Sequence, residues 1–250
     1  MIDSLFIADS TFADIPWTVD GVMGTPLPYS IRGDNALTVL LLACGGLLAV
    51  ILAKSGVSLS QHAKSFFHSS RAGSEVTQNI NFMAYGFFLL IDCLLLAFMA
   101  YVYATEKMEC RFSIQPQVLV MLCFFALFLV YFVMKGVVYS FVNSVFFVGK
   151  KNQQWNASTF LLIAIETILL FPLVLLLVYF DLSVEKALLG FIFVLFLNKM
   201  LAFYKGWSIF FNQKGRSLQI FLYFCALEIV PLFALGGAWL EIVNHLKVNF

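Results

Sequence analysis

Six stretches of about 20 residues carry almost no charge, and they constrain this chain more than any other feature. A helix rises about 1.5 Å per residue, so roughly 20 apolar residues cross the hydrocarbon of a bilayer. The stretches are Ala36–Ala53, Phe82–Val102, Val118–Val138, Phe160–Phe180, Ala187–Trp207 and Leu218–Ala238. No water-soluble core could hide them all. The chain is 62% hydrophobic and 12% charged, against about 25% charged in an ordinary soluble domain. Inside lipid, a single span must satisfy its own backbone polar groups, and a helix does this.

The expected fold class is therefore all-α: a polytopic membrane protein with a bundle of six transmembrane helices over residues 35–245. An exposed acidic tail over residues 1–34 precedes it. The tail sets Asp3, Asp9, Asp14, Asp20 and Asp34 against the lone Arg32, and prolines interrupt it. That pattern differs from the basic start and apolar stretch of a secretory signal.

Charge orients the bundle. With the N-terminus outside, the inner loops 54–81, 139–159 and 208–217, with Lys205, hold eight basic residues and one acid. The outer segments hold five basic residues and ten acids. This positive-inside asymmetry places both termini on the outer, periplasmic side.

A weak internal repeat accompanies the spans. Ser65-Phe66-Phe67, Ser144-Val145-Phe146-Phe147 and Ser208-Ile209-Phe210-Phe211 each lead into basic residues. At an offset of 64, Lys135 matches Lys199, Tyr139 matches Phe203, Ser144 matches Ser208 and Lys150 matches Lys214. Further on, Pro172-Leu173 matches Pro231-Leu232. A duplicated helical hairpin, as in many transporters, is one reading, and chance likeness of Phe-rich interfaces is the other. Residues 137–147 read as an extension of the third span, and 59–67 as a short amphipathic surface helix.

Five ionisable residues fall within the spans: Asp92, Lys135, Glu166, Lys199 and Glu228. On insertion scales each costs about 2.5–3.5 kcal/mol at a helix centre, so each needs a partner or water. The natural pairings are Lys199 with Glu228 and Lys135 with Glu166, with the crossed pairings also open. Asp92 has no base at its depth. Such a set can form an ion path or polar substrate site, a network that fixes helix register, or a contact with a partner's helix. Pro172 and Pro231 are expected to kink their helices.

Several function classes are excluded. The histidines His62, His68 and His245 are all expected in loops or tails, which leaves no intramembrane histidine ligand for haem or metal. No phosphate loop, zincin motif or dinucleotide fingerprint occurs. Cys44, Cys93, Cys110, Cys123 and Cys225 show neither metal spacing nor a disulfide framework. No cofactor is expected, and no enzyme activity. With no basic stripe, no nucleic-acid partner is expected either. The expected partners are the lipid bilayer and other membrane proteins.

The last span reads Leu222-Tyr223-Phe224-Cys225-Ala226-Leu227-Glu228-Ile229-Val230-Pro231-Leu232. It resembles the C-terminal signature, aromatic-Cys-x-Leu-Glu-Ile-x-Pro-Leu, of an uncharacterised family of multi-pass inner-membrane proteins from Gram-negative bacteria. That family is classed only as a domain of unknown function. Asn156, Pro172-Leu173 and Lys135 fill further places of its pattern, whereas Glu166 departs from it. The resemblance implies a bacterial inner membrane and a six-helix bundle, and it implies no activity. The leading expectation is a non-catalytic inner-membrane subunit of a larger envelope assembly, acting through helix–helix contacts. The alternative is a small secondary transporter or proton-conducting component using the intramembrane Asp, Glu and Lys residues.

Overall fold

A computed structural model describes residues 35–67, 82–108, 117–146, 149–180, 182–210 and 225–246. The acidic tail, Cys110 and His68 lie outside these residues. Among the described residues, six helices are long and apolar enough to cross a membrane, as a multi-pass membrane protein requires. They are α1 (Asn35–Phe67), α2 (Phe82–Val102), α3 (Gln117–Phe146), α4 (Gly149–Tyr179), α5 (Val184–Phe210) and α6 (Val230–Leu246).

Two π-helical turns adjoin them. The first, Tyr103–Lys107, prolongs α2 and ends where the Met108 N–H donates to Tyr103 O at 3.2 Å. Here the Thr105 hydroxyl lies within hydrogen-bond distance of Tyr101 O and Val102 O. A side chain that engages these carbonyls competes with the helical ladder and favours a wider turn. The second turn, Cys225–Ile229, leads into α6. Pro231 follows directly and lacks an N–H, and its ring would crowd Leu227 O in a regular helix. A wide turn relieves that crowding, so this proline sits at a change of helical pitch. Pro172 lies within α4, which stays helical through it.

The helices alternate in direction, and three contacts show this. At one pole, Lys107 after α2 meets Glu185 at the start of α5 at 2.5 Å. At the other, Tyr139 late in α3 stacks on Trp155 early in α4, with centroids 5.1 Å apart. At that same pole, the Lys205 ammonium of α5 donates to Phe66 O at 2.8 Å. A cation thus sits on a carbonyl at the negative end of α1.

Helices α2 and α4 form the middle of the bundle. About two-thirds of the α2 span (67%) and 56% of the α4 span are buried, against 28% or less in the other four. Phe88 of α2 is fully enclosed and meets Phe160 of α4 edge-on at 5.9 Å. Helix α1 lies on both central helices, and Gly45 allows the close approach to α4. A Cβ on Gly45 would stand 2.8 Å from the Phe171 ring of α4. Helix α5 packs on α4 and α6 packs on α3, but α5 and α6 do not pack closely on each other.

Four expectations change. Helix α1 runs 33 residues without a break, so residues 59–67 are its end and not a separate surface helix. No proline or turn motif stops it after Ala53. It carries His62, which is buried against Phe160, so the expectation that no span holds a histidine fails. His245 likewise lies in the last turn of α6. The expected extension of the third span is present, with α3 running to Phe146, but α4 begins at Gly149 and not at Phe160, so the rest of the expected inner loop is helical as well. The sixth helix extends to Leu246, eight residues beyond Ala238, and residues 218–224 of the expected sixth span lie outside the described residues.

Candidate functional site

The five intramembrane charges lie on α2 to α5 and on the π-helical turn that leads into α6, and side-chain contacts, joined through residues adjacent in sequence, link these elements. It begins at Asp92 on α2, which is fully buried. The Thr167 hydroxyl of α4 stands 3.3 Å from Asp92 Oδ1. That hydroxyl has one proton and closer company in Ile163 O at 2.9 Å. Asp92 therefore receives only a shared, long bond, and its Oδ2 has no partner among the described residues.

Next to Thr167 is Glu166, whose Oε2 accepts from Asn198 Nδ2 on α5. Next to Asn198 is Lys199, which donates to Glu228 Oε2 at 2.5 Å. Lys135 of α3 donates to the same oxygen at 2.8 Å, and the Tyr139 hydroxyl donates to Oε1 at 2.6 Å. Successive residues of a helix point about 100° apart, so an adjacent pair can reach two different neighbours. Thr167 and Glu166 use this to join α2 to α5, and Asn198 and Lys199 use it to join α4 to the start of α6.

Of the two expected pairings, Lys199 with Glu228 is present. The expected pair of Lys135 with Glu166 is absent, because Lys135 reaches Glu228 instead. Both lysines, Lys135 and Lys199, converge on the one carboxylate of Glu228. Glu228 is 3% exposed in its side chain, whereas Lys135 and Lys199 are 17% and 23% exposed. The acid is enclosed while the two cations keep an open side.

That open side is a cavity of about 540 Å³. Lys135, Lys199, Glu166 and Asn198 contribute to its lining, with Tyr139 and Asn156 nearer the α3–α4 connection. Toward the other pole the lining becomes apolar, with Leu188, Phe191 and Leu195 of α5 and Leu232, Leu235 and Gly236 of α6. Among the described residues, four buried side-chain polar atoms lack a hydrogen-bond partner. Three of them, Tyr131 Oη, Asn198 Oδ1 and Trp239 Nε1, belong to residues that line this cavity. Buried polar atoms without partners are rare, because each costs about 1–3 kcal/mol.

Residues 37–238 match the family described as a domain of unknown function, DUF4271. The chain belongs to this family. The match covers the whole polar chain from Asp92 to Glu228 and most of the cavity wall. No curated protein and no solved structure matches the chain.

Sequence reasoning missed Thr167, Tyr131, Tyr139 and Trp239 as parts of this site. For Thr167 the signal was adjacency to a membrane-buried acid. Tyr131 precedes Lys135 by one helical turn and Tyr139 follows it by one, which puts all three on one face of α3. Trp239 left no comparable signal. Tyr204 and Trp207, near Lys199 in sequence, are half-exposed on the outside of α5.

Proposed function

We propose that this chain is a small secondary transporter or proton-conducting component of the membrane. The observation that carries this reading is three buried carboxylates, Asp92, Glu166 and Glu228, set with Thr167, Asn198 and two half-buried lysines beside an open cavity. A network that served only to fix helix register would gain nothing from an acid with an unpartnered oxygen, or from lysines left open to a cavity. Charged groups within a membrane line ion and proton paths in many carriers. The charge asymmetry and the family resemblance support an inner membrane of a Gram-negative cell, with both termini periplasmic. The Lys135–Glu228–Lys199 cluster then lies in the cytoplasmic half.

The test is proton flux. The purified protein is placed in liposomes with a pH-sensitive dye inside, and a pH or voltage step is applied. Asp92→Asn keeps the shape and the Thr167 contact but removes the ionisable group. We expect wild type to pass protons and Asp92→Asn to pass few, with equal protein abundance and equal melting temperature. Equal flux in the two proteins, or none in either, would rule the reading out.

The non-catalytic subunit reading has support of its own in α6. Only 17% of its span is buried, Phe233 is 77% exposed, and Gly237 has open space where a Cβ would stand. Purification in a gentle detergent, with mass spectrometry of the co-purifying proteins, tests it. A stoichiometric partner set favours a subunit, and a clean single species favours transport.

A further inference from the structure

We infer that the cavity binds a single-chain amphiphile with an anionic head group, its head at Lys135 and Lys199 and its chain between α5 and α6. This rests on the transport reading, for which it names the substrate class.

Shape is the first argument. Tyr85 and Tyr103 both line the cavity from α2, and 18 residues of helix separate them by about 27 Å. A cavity of about 540 Å³ that reaches both residues is drawn out along the helix axes and not round, as an extended hydrocarbon chain is. A compact solute would leave most of the length empty.

Chemistry along the length is the second argument. One face of α5 presents Leu188, Phe191 and Leu195, and then Asn198 and Lys199. Along this face of α5 the wall passes from apolar side chains to an amide and an ammonium, as an amphiphile does along its length.

The head-group end supplies the third. Lys135 and Lys199 share a single carboxylate oxygen of Glu228, so this cluster carries one cation in excess. Glu166 also lines the cavity, but it accepts from Asn198 and not from a lysine. Tyr131 Oη is a hydrogen-bond donor without a partner on the same lining. Two ammonium groups with a spare hydroxyl donor suit a carboxylate or a phosphate, which accept several charge-assisted bonds at once. Both head groups share this chemistry, and the two probes below separate them.

The experiment titrates the purified full chain in detergent and follows tryptophan emission, since Trp155 and Trp239 both line the cavity. The probes are a brominated fatty acid, an alkyl phosphate carrying the same brominated chain, and the corresponding neutral alcohol. Bromine quenches a nearby indole. We expect saturable quenching by at least one anionic probe, with the alcohol bound about tenfold or more weakly. The tighter of the two anions identifies the head group. Lys199→Gln should remove the preference for the anion. Gly236→Leu should weaken all three probes, because a Cβ there meets no atom within 4 Å and the longer side chain fills the apolar half. Gly236→Leu leaves the ion cluster untouched, so it remains informative if Lys199→Gln fails to fold. No saturable quenching, equal affinity for anion and alcohol, or unchanged binding in Gly236→Leu would overturn the inference. Liposome proton flux measured on the same protein separates the two claims. Flux without binding removes only the amphiphile, and binding without flux removes only transport.

Discussion

Helices α2 and α4 differ from α5 and α6 in how they are held. The central pair are mostly enclosed and meet through fitted apolar side chains, such as Phe88 against Phe160. The outer pair are about one-fifth enclosed, do not pack closely on one another, and are joined by an ion pair across a cavity. In lipid there is little hydrophobic force between helices, so contact rests on packing and polar bonds. The central pair rely on the first and the outer pair on the second. A fold can thus be rigid in its middle while one side stays open enough to admit another molecule.

The sharpest way to break this contrast is Glu228→Gln. It leaves two lysines without their carboxylate, and we expect a loss of about 3–5 kcal/mol. Thermal unfolding in detergent checks it. Replacing all three, as Lys135→Met, Lys199→Met and Glu228→Leu together, should restore most of that stability, because an apolar set of similar volume is often no worse than a buried ion cluster. The same triple variant should carry no proton flux. Restored stability with retained flux would remove the cluster from the transport mechanism.

Phe88→Ala tests the other side. Phe88 is fully buried, and the cavity left behind should cost about 2–3 kcal/mol, somewhat less than in a soluble core because lipid and not water is the reference. Thr167→Val should cost about 1 kcal/mol and should shift proton flux more than melting temperature, since among the described residues Thr167 is the only side chain bonded to Asp92. Phe233→Ala on α6 is the control. At 77% exposure it should change stability by less than about 0.5 kcal/mol, and a larger loss would mean that this face is covered by a partner.

Much of the fold was legible beforehand because a membrane span is a long signal. Twenty apolar residues have few alternatives, and among the described residues each of the six helices overlaps one of the apolar runs. Their ends were harder to read. The extensions of α1, α3, α4 and α6 carry polar residues that remain helical where lipid no longer selects for apolarity. His62 was therefore assigned to a loop although it packs inside a helix. The charged residues were visible as costly exceptions, but their partners were not. Lys135 had two acids within reach by depth, and depth says nothing about the direction in which a side chain points.

The sequence by itself determined the class of this protein: six spans, their alternating directions, and five ionisable residues that must be compensated. All of these follow from one-dimensional quantities, namely hydropathy, length and charge. Only the tertiary structure decided that both lysines share Glu228, that Thr167 and Asn198 complete the chain to Asp92, and that an elongated cavity runs beside it. Those outcomes depend on how each helix is rotated about its axis and which neighbour it faces. Rotation is set by packing among helices distant in sequence, and a string of apolar residues equally suited to lipid on every side does not encode it locally.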